Sequence, residues 1–203
     1  SEEERINILK AFNDGFARKV ARGLDLMAFH GVNPRTGQPT AVIGNNNFDT
    51  AVTQTVDSDL SDPNQDVEAA IAMVQGTDND VTGMIMSPGF RSALAQQKDA
   101  QGLPMFPELA WGNAPSDING LPVDVNRTVS DMSADNALAY VGDFANYFKW
   151  GYSRQIPLRV IEYGDPDNSG NDLQGYNQVY IRAEVFLGWG ILDPEAFARI
   201  RQQ

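Results

Sequence analysis

The sequence contains no cysteine and only one histidine. That excludes disulfides, thiolate-ligated metals and every metal motif built on two or more histidines. Bases are scarce as well: 15 Lys and Arg stand against 27 Asp and Glu, giving a net charge of −12 and a pI near 4.3. A surface this acidic repels phosphate backbones and anionic lipid, so nucleic-acid and membrane binding are disfavoured. No apolar run approaches the ~18 residues of a membrane-crossing helix. The acidic first residues do not read as a signal peptide. There is no Walker A sequence, no GxGxxG and no GxSxG. The lone GxG at Gly188–Gly190 is too short to signal a phosphate loop.

What is present is 203 residues of ordinary apolar content, 42%, enough for one large domain or two small ones. Up to residue 29 the charges balance: Glu2, Glu3, Glu4, Asp14 and Asp25 face Arg5, Lys10, Arg18, Lys19 and Arg22. The acidic excess therefore belongs to the rest of the chain. The sequon Asn126-Arg127-Thr128 reads as chance without a secretory signal.

Residues 2–29 read as one helix. Ile6, Leu9, Phe16, Val20, Leu24 and Met27 recur at helical spacing, with Phe12 or Asn13 filling the one wide gap. Ser1 and Glu4 fit a capping box, and the acidic run suits the positive helix end. At ~1.5 Å per residue the helix would be roughly 42 Å long. Its stripe keeps no strict heptad, and Gly15 and Gly23 weaken it, so it reads as a strut on a sheet rather than a coiled coil. Gly31 ends it. Residues 31–62, rich in Asn, Pro, Gly and Thr, read as loop and domain boundary.

A second helix opens at Asp62-Pro63 and closes at Gly76. Residues 81–87 read as a strand, and Ser87-Pro88 start a third helix to about Gln97. Residues 99–120 read as loop. Leu121–Val129 and Ala137–Phe144 read as strands, with FKWGYS (148–153) as a candidate continuation of the latter. Ile156–Tyr163 and Tyr176–Gly188 form a long hairpin around the polar tip 164–175, with Val179, Ile181, Ala183, Val185 and Leu187 on one face. Asp193-Pro194 opens a short terminal helix. Helices segregated from an antiparallel hairpin give an α+β architecture.

Candidate chemistry is thin. His30, at the negative end of the first helix, reads as structural, because general acid–base work needs positioned partners. Asp165, Asp167, Ser169 and Gly170 imitate the start of a calcium loop, but Tyr176 stands where the bidentate Glu belongs, so a hairpin tip is the reading. Ser87 reads as a helix cap rather than a nucleophile. Phe144, Tyr147, Phe148, Trp150 and Tyr152 read as strand packing or interface rather than a ligand platform. Scattered carboxylates form no organised hydrolase pair. We therefore expect no catalytic, cofactor-binding or metal residues, and no cofactor.

Five segments, in this order, resemble the major capsid proteins of tailed bacteriophages with the Hong Kong ninety-seven fold. They are Ala21–Pro39, Met84–Phe106, Ile118–Val125, Ala139–Val160 and Tyr180–Ile200. The resemblance implies a peripheral domain holding the spine helix (1–40), an axial domain (41–150) and a return to the peripheral domain through the hairpin and C-terminus (151–203). It implies a non-enzymatic shell protein that assembles with copies of itself, as pentamers and hexamers in the full-length protein. The shell encloses viral DNA without specific binding and does not engage a membrane. It implies a virion location, with the host cytoplasm or a prophage-bearing bacterium before assembly. Glu162 and the tip are candidate neighbour contacts. Family members carry an N-terminal arm and an extended loop ahead of the spine helix. This chain opens on the helix, so we expect a monomer or weak oligomer in dilute solution. The alternatives are an encapsulin-type compartment subunit or, in a different class, an acidic hydrolase or ligand-binding module.

Overall fold

The computed structural model describes residues 2–203, and the burial of side chains other than those of residues 2–6 and 154–158. Helices and strands come in the order α1 (Glu2–His30), α2 (Phe48–Ala51), β1 (Thr55–Ser58), α3 (Pro63–Gln75), β2 (Gly83–Met86) and α4 (Pro88–Ala95). After these come β3 (Asp117–Ile118), β4 (Leu121–Val125), β5 (Ala137–Gly142), α5 (Phe144–Tyr147), β6 (Phe148–Ile161), β7 (Tyr180–Ile191) and β8 (Phe197–Gln202). The α+β architecture is as expected. The chain forms two compact units, Ser1–Val20 with Trp150–Gly188, and Ala21–Lys149 with Trp189–Gln203.

In the first unit, Leu9, Phe12, Phe16 and Val20 of α1 are half-buried while the intervening charged residues are exposed. That is the single stripe the helical spacing predicts. The expected Ser1–Glu4 capping box lies outside the described residues. Strands β6 and β7 pair as a two-stranded sheet. Ile181, Ala183, Val185 and Leu187 are half-buried, as the alternation implies, but Val179 precedes the strand and is exposed.

The second unit is built on a six-stranded mixed sheet in the order β1-β8-β5-β2-β4-β3. Local sequence sets most of its helices. Asp62 accepts from the Gln65 amide at 3.2 Å and Pro63 takes the first turn of α3. Ser87 accepts from the Phe90 amide at 3.2 Å with Pro88 in the same role for α4. Each cap satisfies an amide the helix leaves unpaired, and proline there loses nothing by lacking one. Strand β5 is buried at every position, which explains its unbroken apolar run: both faces of the sheet are covered.

On one face, Ala70, Val74, Phe90 and Leu94 from α3 and α4 pack on Ala139, Val141, Ala198 and Ile200. On the other, Phe29, Phe48, Val52 and Val129 pack on Tyr140 and Phe197. Phe48 is the hub, with the rings of Phe29, Tyr140, Phe144, Phe148 and Phe197 at centroid distances of 5.0–5.9 Å. The end of α1 joins this core through Phe29, with Leu26 and Ala28 also buried. The helical stripe named Leu24 and Met27 there, which are only half-buried. Gly31 ends α1 with φ +66, and a Cβ on it would sit 2.5 Å from Asn47 Nδ2, so glycine is needed for conformation and space alike.

Several expectations need correction. The presumed terminal helix is one 3-10 turn, Pro194–Ala196, followed by β8. Strand β8 lies between β1 and β5, so backbone pairing on both edges overrides the helix-like DPEAFARI. The loop 31–62 contains α2 and β1, the latter pairing parallel with β8. Strand β4 ends at Val125, because Asn126 caps a 3-10 turn at Arg127–Val129. Strand β5 does not run on into FKWGYS, because Asp143 caps α5 between them and accepts from the Asn146 amide at 3.2 Å. Strand β7 begins at Tyr180 rather than Tyr176. The breaks between the two compact units fall inside α1, β6 and β7.

Candidate assembly surfaces and the buried polar network

His30 was the one residue with the chemistry for a reaction. It is buried, at 8% exposure. Its Nδ1 lies 2.7 Å from Asp49 Oδ2 and its Nε2 2.8 Å from the Thr128 carbonyl. Nε2–H donates to that carbonyl, because a carbonyl oxygen can only accept. Asp49 Oδ1 accepts from the Tyr140 hydroxyl at 2.7 Å and faces Arg199 Nη1 at 3.4 Å. Arg199 Nη1 also donates to Asp135 at 2.9 Å. Burial, and then the Asp49 charge, push the Tyr140 hydroxyl well above its ordinary value, so it remains a donor.

A histidine–aspartate pair resembles half of a nucleophilic triad. A base in such a triad must offer its second nitrogen to a nucleophile, and here a backbone carbonyl occupies it. The network instead fastens the end of α1 to α2, β5 and β8. Beside it, Asp25 accepts from Asn126 Nδ2 at 2.8 Å and Thr128 Oγ1 at 3.2 Å. Burial raises the Asp25 carboxyl despite those two bonds. Arg22 pairs with Asp131. These contacts hold the last turns of α1 against the 126–131 segment.

The other candidates resolve similarly. Asp165 accepts from the Gly170 amide at 2.7 Å and the Ser169 amide at 2.9 Å. Those bonds, the Gly170 amide foremost, hold its carboxyl below the usual range. The tip thus uses its carboxylate to close its own turn, and no group of three or more His, Asp or Glu suited to a metal occurs among the described residues. Ser87 is a helix cap, as expected. Gly188–Gly190 lies within β7, where Trp189 Nε1 donates to the Asn46 carbonyl at 2.9 Å and Asn46 Nδ2 to the Trp189 carbonyl at 3.0 Å. The aromatic run divides. Phe144, Tyr147 and Phe148 pack on the core, whereas Trp150 and Tyr152 stand edge to face at 5.5 Å and about half exposed.

Two surfaces remain open. On the β6–β7 sheet, Arg159, Val160, Glu162, Tyr163 and Glu184 line a shallow groove with Arg182, which pairs with Glu184. In the second unit, Trp111 is fully exposed. It lies in the stretch read as featureless loop, and pattern reasoning passed over it. No described helix is long and apolar enough to cross a membrane.

The profile of the phage capsid family matches residues 2–201. The chain belongs to the phage capsid family. A solved structure from Mycobacterium phage Ogopogo is 35% identical, with 100% of this chain and 70% of that one covered at a TM-score of 0.85. One from Gordonia phage Cozz is 28% identical, covering 97% of this chain and 64% of that one at a TM-score of 0.84. The capsid of an empty GTA particle, computed with C5 symmetry, is 18% identical over 98% of this chain and 66% of that one. Its TM-score is 0.59, and at that identity it shows the fold alone. No curated protein matches the chain. As a phage capsid protein it is a structural component of the virion, and its working parts are surfaces. The His30 network is then scaffolding within the second unit.

Proposed function

We propose that this capsid protein forms the head shell by packing against copies of itself around five-fold and six-fold axes. In this reading Ala21–Lys149 with Trp189–Gln203 is the axial unit, and Ser1–Val20 with Trp150–Gly188 the peripheral one. The observation that carries it is the match to the phage capsid family along residues 2–201. The net charge of −12 supports an inner wall that encloses DNA without gripping it. No cofactor and no catalysis enter. Synthesis in the host cytoplasm precedes assembly.

In dilute solution the chain is a monomer or weak small oligomer, because shell contacts are individually small and gain strength by multiplicity. Peptide mass spectrometry of purified particles tests the reading. Peptides spanning residues 2–201 should belong to the most abundant virion protein. Particles without them would refute it.

A further inference from the structure

The segment between α4 and β3 holds three large exposed hydrophobic side chains: Leu103 at 62%, Met105 at 42% and Trp111 at 104% exposure. Trp111 also has the backbone of a glycine, with φ +58 and ψ +26. A bulky residue in the left-handed region is strained, and such strain persists only where the surroundings impose it. Here they do. Phe106 and Leu109 are buried on the near side. Arg91 Nη1 donates to the Gly112 carbonyl at 3.0 Å, and Asn113 Nδ2 to the Glu108 carbonyl at 3.0 Å. The loop is fixed at both ends and its largest side chain is held out in solvent.

We propose that Trp111 is an anchor that seats in an apolar socket on a second copy of this chain; the inference rests on the shell reading above. Three considerations select a copy as the occupant. The chain is strongly acidic, so two copies meet most easily where charge is sparse. Between Asp99 and Asp117 the only charged residue is Glu108, matching the charge depletion of interface centres. Tryptophan is among the residues most enriched at the energetic hot spots of protein contacts, as is arginine, and Arg91 stands beside it on the Gly112 carbonyl. Stacking on nucleic-acid bases would need a run of basic side chains along the backbone path; here Lys98 and Arg91, the latter already donating to the Gly112 carbonyl, stand against Asp99, Glu108 and Asp117. Rings of five or six require head-to-tail contacts, so the socket lies on a different patch from Trp111 itself.

The decisive variant is Trp111→Gly, because glycine accepts this backbone without strain. We expect its thermal midpoint to equal or exceed that of the wild type. Self-association, measured by sedimentation equilibrium, should weaken about thirtyfold or more. Trp111→Phe should retain most of the association. In purified particles, a photoreactive phenylalanine analogue at position 111 should crosslink to a second copy. A lowered midpoint for Trp111→Gly would make the residue structural and overturn the inference. So would unchanged association, a wild type that stays monomeric at its highest soluble concentration, or a crosslink to DNA or another protein. Each of those leaves the shell reading standing, which fails if the chain is missing from the particle.

Discussion

His30 Nδ1 lies 2.7 Å from Asp49 Oδ2, joining the last residue of α1 to the first turn of α2 in a site where the histidine side chain is 1% exposed. Removing either partner strands the other. For His30→Ala, the carboxylate and the Thr128 carbonyl both lose a donor while remaining partly or wholly buried. We expect a loss of roughly 2–4 kcal/mol in urea unfolding. Asp49→Ala should behave comparably, and the double variant should cost much less than the sum, with a coupling above about 1 kcal/mol. Additive effects would show that the two groups do not act as a pair.

Gly142, the last residue of β5, pairs with Phe197, the first residue of the antiparallel neighbour β8. A Cβ there would lie 2.5 Å from Phe197 Cδ1 and 2.9 Å from Phe197 Cα, and would also meet the Ala196 carbonyl. Two of those three atoms are backbone, where the 3-10 turn enters β8, and cannot step aside. Gly142→Ala should cost about 3 kcal/mol or more, or prevent folding. Gly15→Ala, in open space on α1, should instead be neutral or stabilising by up to about 1 kcal/mol. Circular dichroism melts of the two variants make the comparison.

Asp57 and Asp25 contribute to acid stability with opposite signs. The Arg201 guanidinium, donating to Asp57 Oδ1 at 2.6 Å, holds the Asp57 carboxyl below its usual range. That contribution is complete above the unfolded value near 4 and is lost as pH falls through the lower folded value. Asp25, raised by burial, takes up its proton more readily when folded. Falling pH therefore favours the folded state through Asp25. Between about pH 5 and about pH 3, Asp57→Asn should flatten the loss of stability and Asp25→Asn should steepen it. Denaturant midpoints across that range give both slopes, and a shared direction would contradict the assignment.

The sequence announced whatever is local. Asp62-Pro63 and Ser87-Pro88 each place a capping side chain before a proline, and both helices start there. The unbroken ALAYVG run is a strand buried on two faces. What stayed hidden depends on distant partners. Strand β1 is the four residues TVDS, too short and polar to stand out, and its partner β8 lies 144 residues further on at Thr55↔Arg199. DPEAFARI has the start of a helix but is drawn into the sheet from both sides, and its Arg199 is buried beside Asp135. The place of His30 at a helix end was legible, but Asp49 and Thr128 were not, since neither follows from spacing. Trp111 escaped notice because exposure and a left-handed backbone leave no periodic trace.

A reconstruction of the purified particle by electron cryo-microscopy bears most directly on whether this protein works by fitting against its own copies. The fold of residues 21–149 and 189–203 should repeat around the five-fold and six-fold axes, with residue 111 buried between neighbours. Shell density that this fold does not fit, or copies lying apart without mutual contact, would contradict it.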